Sequence, residues 1–251
     1  MITKNQLKYY SSLLDKKTRK LEKKFITEGY KLVLEGLNSP YKCAALFIVE
    51  EVKDKYSDVI HLAKKKHTEI FYLNNHDFEK LSETVNSQGV AAAFIIPNNN
   101  LSSAKNDKLI ICLDNVSDPG NVGTIIRTCD WFGINSIVLS TDSADLYNGK
   151  TIRSSMGSIF HINAYQHINL FDFISEFKAK DFKIYITDLD GNDYTKINLS
   201  DKSIIIFSNE ANGPDPKLSS IIDGKLTIKQ KGKAESLNVA VAAGIIISKF
   251  A

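Results

Sequence analysis

Five short apolar runs in the second half of the chain set the strongest limit on its fold. They are KLIICLDNV (108–116), SIVLST (136–141), KIYITDL (183–189), SIIIFSN (203–209) and KLTIKQ (225–230). Each is bounded by polar turns, and segments of helical period stand between them: NVGTIIRTCDWFG, NLFDFISEFKAK, PDPKLSSIID and ESLNVAVAAGIIISKF. A strand that is apolar at nearly every position is covered on both faces, and strands alternating with helices are joined by crossovers. The pattern therefore predicts an α/β domain with a mostly parallel sheet.

The first half alternates as well. Leu7, Tyr10, Leu13, Leu14, Leu21 and Phe25 recur at helical spacing among lysines. A helical GYKLVLEGLNSP follows and ends at Pro40, then a strand at 43–51, a helix beginning at Ser57, a strand EIFYLN, a helix NHDFEKLSET and a strand at 89–97 closed by Pro97. The polar stretch NNNLSSAKND (98–107) has no apolar period and reads as a linker. Two domains are expected, 1–105 and 106–251. At 251 residues the chain is long enough to bury two cores without a disulfide or zinc staple.

Charge separates the halves. Residues 1–105 carry 17 basic and 12 acidic side chains, while 106–251 carry 15 and 17. Eight basic and two acidic residues fall within 1–24. Such a stretch is either a phosphate-binding surface or a solvated helix face. Cys43, Cys112 and Cys129 form no CxxC pair, which fits a reducing cytoplasmic compartment and no metal centre. No apolar run approaches the roughly 20 residues of a membrane span, and the first residues are too polar for a signal peptide.

Ligands of a parallel sheet sit beyond the carboxyl ends of its strands. Three polar, glycine-containing turns fall there: SDPGNVGTIIRT (117–128), SNEANGPDP (208–216) and KQKGKAESLN (229–238). The first lacks the GxGxxG of a dinucleotide site, having only Gly120 and Gly123, so a nicotinamide or flavin enzyme is disfavoured. It offers Asn121 near a helix start and Arg127 two turns inside, its stem expected to be partly buried among Ile125, Ile126 and Trp131. In the second turn, Pro214 is expected near the first helical position. In the third, Ser236 and Asn238 stand near a helix start, where Ala240, Ala242, Ala243 and Gly244 permit close packing.

Taken in order, DNVSDPGNVGTIIRTCDWFGI, IIIFSNEANGP and IKQKGKAESLNVAVAAGI resemble the three motifs of the SpoU (TrmH-type) RNA ribose methyltransferases of the SPOUT superfamily. IRSSMGSIF (152–160) resembles the segment between the first two motifs. The N-terminal half is similar to the small substrate-binding domain of many members, itself like a ribosomal-protein RNA-binding fold. The likeness implies a C-terminal trefoil knot holding S-adenosylmethionine, a homodimer, and methyl transfer to a ribose 2′-hydroxyl. Ribosomal RNA is the implied substrate, with transfer RNA or a non-catalytic ribosome-assembly role as alternatives.

Carried over position by position, the cofactor contacts fall on Ser208, Ile228 and Leu237, with Asn209, Gly213, Lys229 and Gln230 adjoining. Arg127 falls on the catalytic arginine, and Asn121, Glu210, Ser236 and Asn238 on the polar positions around it. Arg127 is either the base or, because a guanidinium is a poor base, an electrostatic clamp. Lys16, Lys17, Arg19, Lys20, Lys23, Lys24 and Arg153 are the expected RNA contacts. Ser208 stands where members usually have glycine, and Lys229-Gln230 where Pro-Met is typical.

Overall fold

The computed structural model describes residues 2–209, 213 and 215–251. The chain divides into two compact units, residues 1–98 with 147–160, and residues 99–146 with 161–251. These bounds differ from the expected 1–105 and 106–251: residues 99–105 lie in the second unit and 147–160 in the first. The later excursion of 147–160 into the first unit had no sequence signal.

In the first unit, Thr3 opens α1 (Lys4–Ser12) with a reciprocal capping box to Gln6. Asp15 caps α2 (Lys16–Glu22), which ends on Lys23 in the left-handed region. The chain then enters β1 (Lys24–Glu28), so Phe25 belongs to a strand and not to the N-terminal helix. Leu21 and Phe25 share a helical spacing, yet Leu21 is exposed and Phe25 fully buried. After α3 (Tyr30–Asn38) come β2 (Cys43–Val49), α4 (Ser57–Lys65), β3 (Glu69–Leu73), α5 (Asn75–Glu79) and β4 (Val90–Ile95). The sheet order is β1-β4-β2-β3, with β4 antiparallel to both neighbours and β2 parallel to β3. Gly36 lets α3 approach β4 closely, since a Cβ there would stand 2.4 Å from Phe94 Cζ.

The second unit begins with a 3₁₀ turn, Leu101–Asn106, whose Ala104 is buried in the core, so the linker is partly structured. It continues through β5 (Leu109–Asp114), α6 (Pro119–Trp131) and β6 (Ser136–Ser140). Residues 147–160, with α7 (Gly149–Ser155), belong to the first unit, where Phe160 packs on Phe94 at 5.2 Å between ring centroids. The second unit resumes with β7 (Asn163–Ile168), α8 (Leu170–Lys178), β8 (Lys183–Asp193), β9 (Ser203–Ser208), α9 (Pro216–Ser219), β10 (Gly224–Thr227) and α10 (Val239–Phe250). Six strands lie in the order β10-β8-β9-β5-β6-β7, and every pairing is parallel. The inner strands β5, β6 and β9 are nearly apolar throughout, as two-sided coverage demands. No described helix is long and apolar enough to cross a membrane.

Candidate active site

The carboxyl ends of β5 and β9 lie side by side, with Asp114 opposite Ser208 in the register. Asn209 extends the ladder, its backbone N–H donating to Asp114 O at 3.2 Å and its side-chain amide to Asn115 O at 3.2 Å. Asp114 is buried and accepts from the Asp215 backbone N–H at 3.0 Å. Burial pushes its carboxyl above the ordinary range, and the Asp215 hydrogen bond only partly opposes this. Beyond β5, Asp118 caps α6 by accepting from the Asn121 N–H, and Pro119 takes the first helical position.

Asn238 caps α10 in the same way, accepting from the N–H groups of Ala240 and Val241. Its amide nitrogen donates to Asn121 Oδ1 at 3.0 Å, so the starts of α6 and α10 are joined by a side-chain bond. The helix expected from Glu235 starts only at Val239, which leaves Glu235, Ser236 and Leu237 in the preceding loop. Gln230 folds that loop on itself, donating to the carbonyls of Gly232 and Ala234 at 2.9 and 2.7 Å.

A cavity of about 370 Å³ opens between this loop and the strand ends. Ser208, Asn209 and Gly213 line it from the β9 side; Ile228, Lys229 and Gln230 line it after β10; Ser236 and Leu237 line it before α10. The structure thus gathers all seven residues expected around the cofactor, together with Ser236. It adds Thr187, Asp188 and Leu189 from β8, which the motifs do not point to, and Val239, Ala242 and Ile246 from α10, the first two of which fall within the third motif. The TDLDG segment, with two carboxylates and a glycine closing an apolar strand, was the available signal for the first group.

Arg127 departs from its expected setting. Ile125 and Ile126 are buried, but Arg127 is exposed, as is Trp131, which is 82% exposed. It makes no ion pair with another described residue. Glu210 and Pro214 lie outside the described residues; Pro216 opens α9 behind its cap Asp215.

Among the basic residues, Lys16, Lys17, Lys20 and Lys23 are at the surface. Arg19 is the correction: at 4% exposure it is buried, and its guanidinium donates to the Leu13 and Leu14 carbonyls at 3.1 and 2.5 Å. It satisfies the end of α1 and has no surface to offer a phosphate. Lys24 is held by the Tyr9 hydroxyl at 2.7 Å. Arg153 pairs with Glu83 at 3.3 Å within the first unit.

A parallel α/β unit with a ligand-sized cavity at its strand ends and two linked helix starts beside it defines a small-molecule-dependent enzyme class. Comparison makes the class specific. Residues 108–248 match the SpoU rRNA Methylase family, and residues 4–92 match the MRM3-like substrate binding domain. The chain is 38% identical over 246 residues to the 23S rRNA (guanosine(2553)-2′-O)-methyltransferase RlmP of Bacillus subtilis, covering 97% of this chain and 95% of that one. A TrmH-family structure from Porphyromonas gingivalis superposes with TM-score 0.87 at 32% identity, covering 100% of this chain and 98% of that one. The AdoMet-bound rRNA methyltransferase of Sinorhizobium meliloti gives 0.88 at 29% identity, over 99% and 95% of the two chains. The chain belongs to the SpoU methylase family.

Proposed function

We propose that the protein is an S-adenosylmethionine-dependent RNA 2′-O-methyltransferase acting on a guanosine ribose of 23S ribosomal RNA. The observation that carries the reading is the gathering of residues from the second and third motif turns around one cavity, together with near full-length identity to RlmP.

The cavity suits the cofactor. About 370 Å³ falls within the range of small-molecule sites, roughly 300–1,000 Å³. Leu226, Ile228, Leu237 and Val239 offer an apolar bed, Ser208, Asn209 and Ser236 offer polar groups, and the carboxylate of Glu235 suits a cationic ligand. Ser208 is small enough to stand at a position where glycine is usual. When bound, S-adenosylmethionine supplies a sulfonium-activated methyl group.

The protein's own residues then orient the acceptor. Arg127 would hold the phosphate next to the reacting ribose and stabilise the developing alkoxide as the 2′-hydroxyl passes its proton to a water oriented by Asn121, Ser236 and Asn238. This reading makes it an electrostatic clamp and not the base. The Asn121–Asn238 pair fixes the polar floor of the site, with Ser236 on the cavity side. Alignment of this kind contributes about 7–11 kcal/mol to such transfers.

The N-terminal unit is the RNA-binding module, with Lys16, Lys17, Lys20 and Lys23 facing the phosphates. A trefoil knot in the second unit is supported by its strand order, because α10 follows the edge strand β10 and returns to α6 and β9. Homodimerisation through α6 and α10 is supported by the exposure of Trp131 and Val241. Three buried free thiols fit the cytoplasm. The deciding experiment maps 2′-O-methyl sites in total RNA with and without the gene. Loss of one site in 23S RNA is expected, and an unchanged map refutes the reading.

A further inference from the structure

The β8–β10 pairing is interrupted in an uncommon way. Lys225 pairs with Ile186, but the next residue, Leu226, pairs with Asn192. Residues 187–191 of β8 are therefore left out of the ladder as a wide bulge, and Thr187, Asp188 and Leu189 of that bulge line the cavity. Leu189 is 73% exposed although it is a large apolar side chain.

One cation holds the bulge at its base. Lys225 Nζ donates to Asp188 Oδ2 at 2.8 Å and to both oxygens of Asp190 at 2.8 and 3.0 Å. Thr227 Oγ1 adds a bond to the Leu189 carbonyl at 3.2 Å. Gly191 permits the return, since a Cβ there would meet the Leu226 carbonyl carbon at 2.7 Å. The hydrogen bonds from Lys225 to Asp188 and Asp190 hold its ammonium above the ordinary range, and the Lys225 bond lowers Asp190. Asp190 is 71% exposed, so ion pairing here adds little to global stability. Its effect is local: without the ammonium, two carboxylates two residues apart repel, and the bulge loses its shape.

We propose that Lys225 is a positioning residue for the methyl donor: by gripping Asp188 and Asp190 it fixes the β8 bulge, and with it Leu189, as one wall of the cavity. This rests on the cavity being the donor site. A preformed wall spares the ligand the cost of ordering it, so the clamp acts on donor affinity and not on the chemical step.

The test is calorimetric titration of S-adenosylmethionine into the full-length protein and its variants, with thermal melts alongside. Lys225→Met is expected to weaken donor binding about tenfold or more, with turnover at saturating donor within about twofold of wild type. Lys225→Arg restores both arms of the clamp and is expected to stay within about threefold. If Lys225→Met fails to fold, Asp188→Asn and Asp190→Asn each remove one arm, and each is expected to weaken binding by about threefold or more. Unchanged affinity in Lys225→Met, or in both Asn variants, overturns the proposal while leaving the donor site intact. A wild-type protein that binds no S-adenosylmethionine overturns the functional reading itself, and the clamp with it.

Discussion

Asn238 serves two helices with one side chain: its Oδ1 caps α10 while its Nδ2 donates to Asn121 in the first turn of α6, 117 positions away in the chain. The two functions can be separated, because the cap needs an acceptor and the cross-link needs a donor. Asn238→Asp keeps the acceptor and removes the donor. Its melting temperature is expected to stay near wild type while methyl transfer falls roughly tenfold, the scale of one hydrogen bond. Asn238→Ala removes both and should also lose about 1 kcal/mol of stability. Thermal melts paired with single-turnover methylation of RNA distinguish the two variants.

Arg127 makes no described ion pair and stands exposed on α6, so removing it should cost the fold little, within about 0.5 kcal/mol. Its loss should fall on chemistry. Arg127→Ala is expected to slow methyl transfer by more than about 10²-fold, the usual scale for one transition-state charge partner. Donor affinity should remain within about threefold, because Arg127 does not line the cavity. A variant that keeps a tenth of the wild-type rate would take Arg127 out of the site.

The parts that sequence made legible are those written in local pattern. The apolar runs at 108–116 and 203–209 had to be inner strands, and a parallel sheet brings the turns after them to one edge. Edge strand β7 was missed because its NAYQHI carries Gln166 and His167, which an inner strand would not tolerate. The bulge at 187–191 was missed for another reason. Register is a relation between two strands, and the period of β8 alone does not reveal it. Arg19 shows the same limit among side chains. In sequence it is one more cation beside Lys16, Lys17 and Lys20, and only the packing of α2 against the end of α1 buries it.

That difference within one basic run can be tested. Replacing Lys16, Lys17, Lys20 and Lys23 with Gln should leave the melting temperature nearly unchanged, since all four lie at the surface. RNA affinity should fall uniformly across sequences, and its salt slope should flatten by about 0.7 for each single-strand phosphate that a lysine no longer neutralises. Arg19→Met should do the reverse. It strands the Leu13 and Leu14 carbonyls at the end of α1, at a cost of about 1–3 kcal/mol, while the salt slope stays put. An unchanged slope in the four-fold variant would move the RNA surface to the second unit.

Asp114 carries a pH signature whose sign follows from its setting. Burial raises its folded pKa above the value of about 3.9 for an unfolded carboxyl. Between the two values the folded protein holds more protons than the unfolded one, so stability falls as pH rises. The favourable contribution is complete below the unfolded pKa and is lost as pH climbs through the folded one. At neutral pH the ionised carboxylate is therefore a net cost, even with the Asp215 N–H donating to it at 3.0 Å. Asn at this position can still accept from that N–H through Oδ1 and carries no charge. Asp114→Asn is expected to melt at a higher temperature than wild type at neutral pH, with the gap closing as the buffer is acidified toward the unfolded carboxyl's pKa of about 3.9. Melts at the two pH values decide it. A gap that widens on acidification would mean that the carboxylate stabilises the β5–β9 edge, and that its hydrogen bonds outweigh the burial that surrounds it.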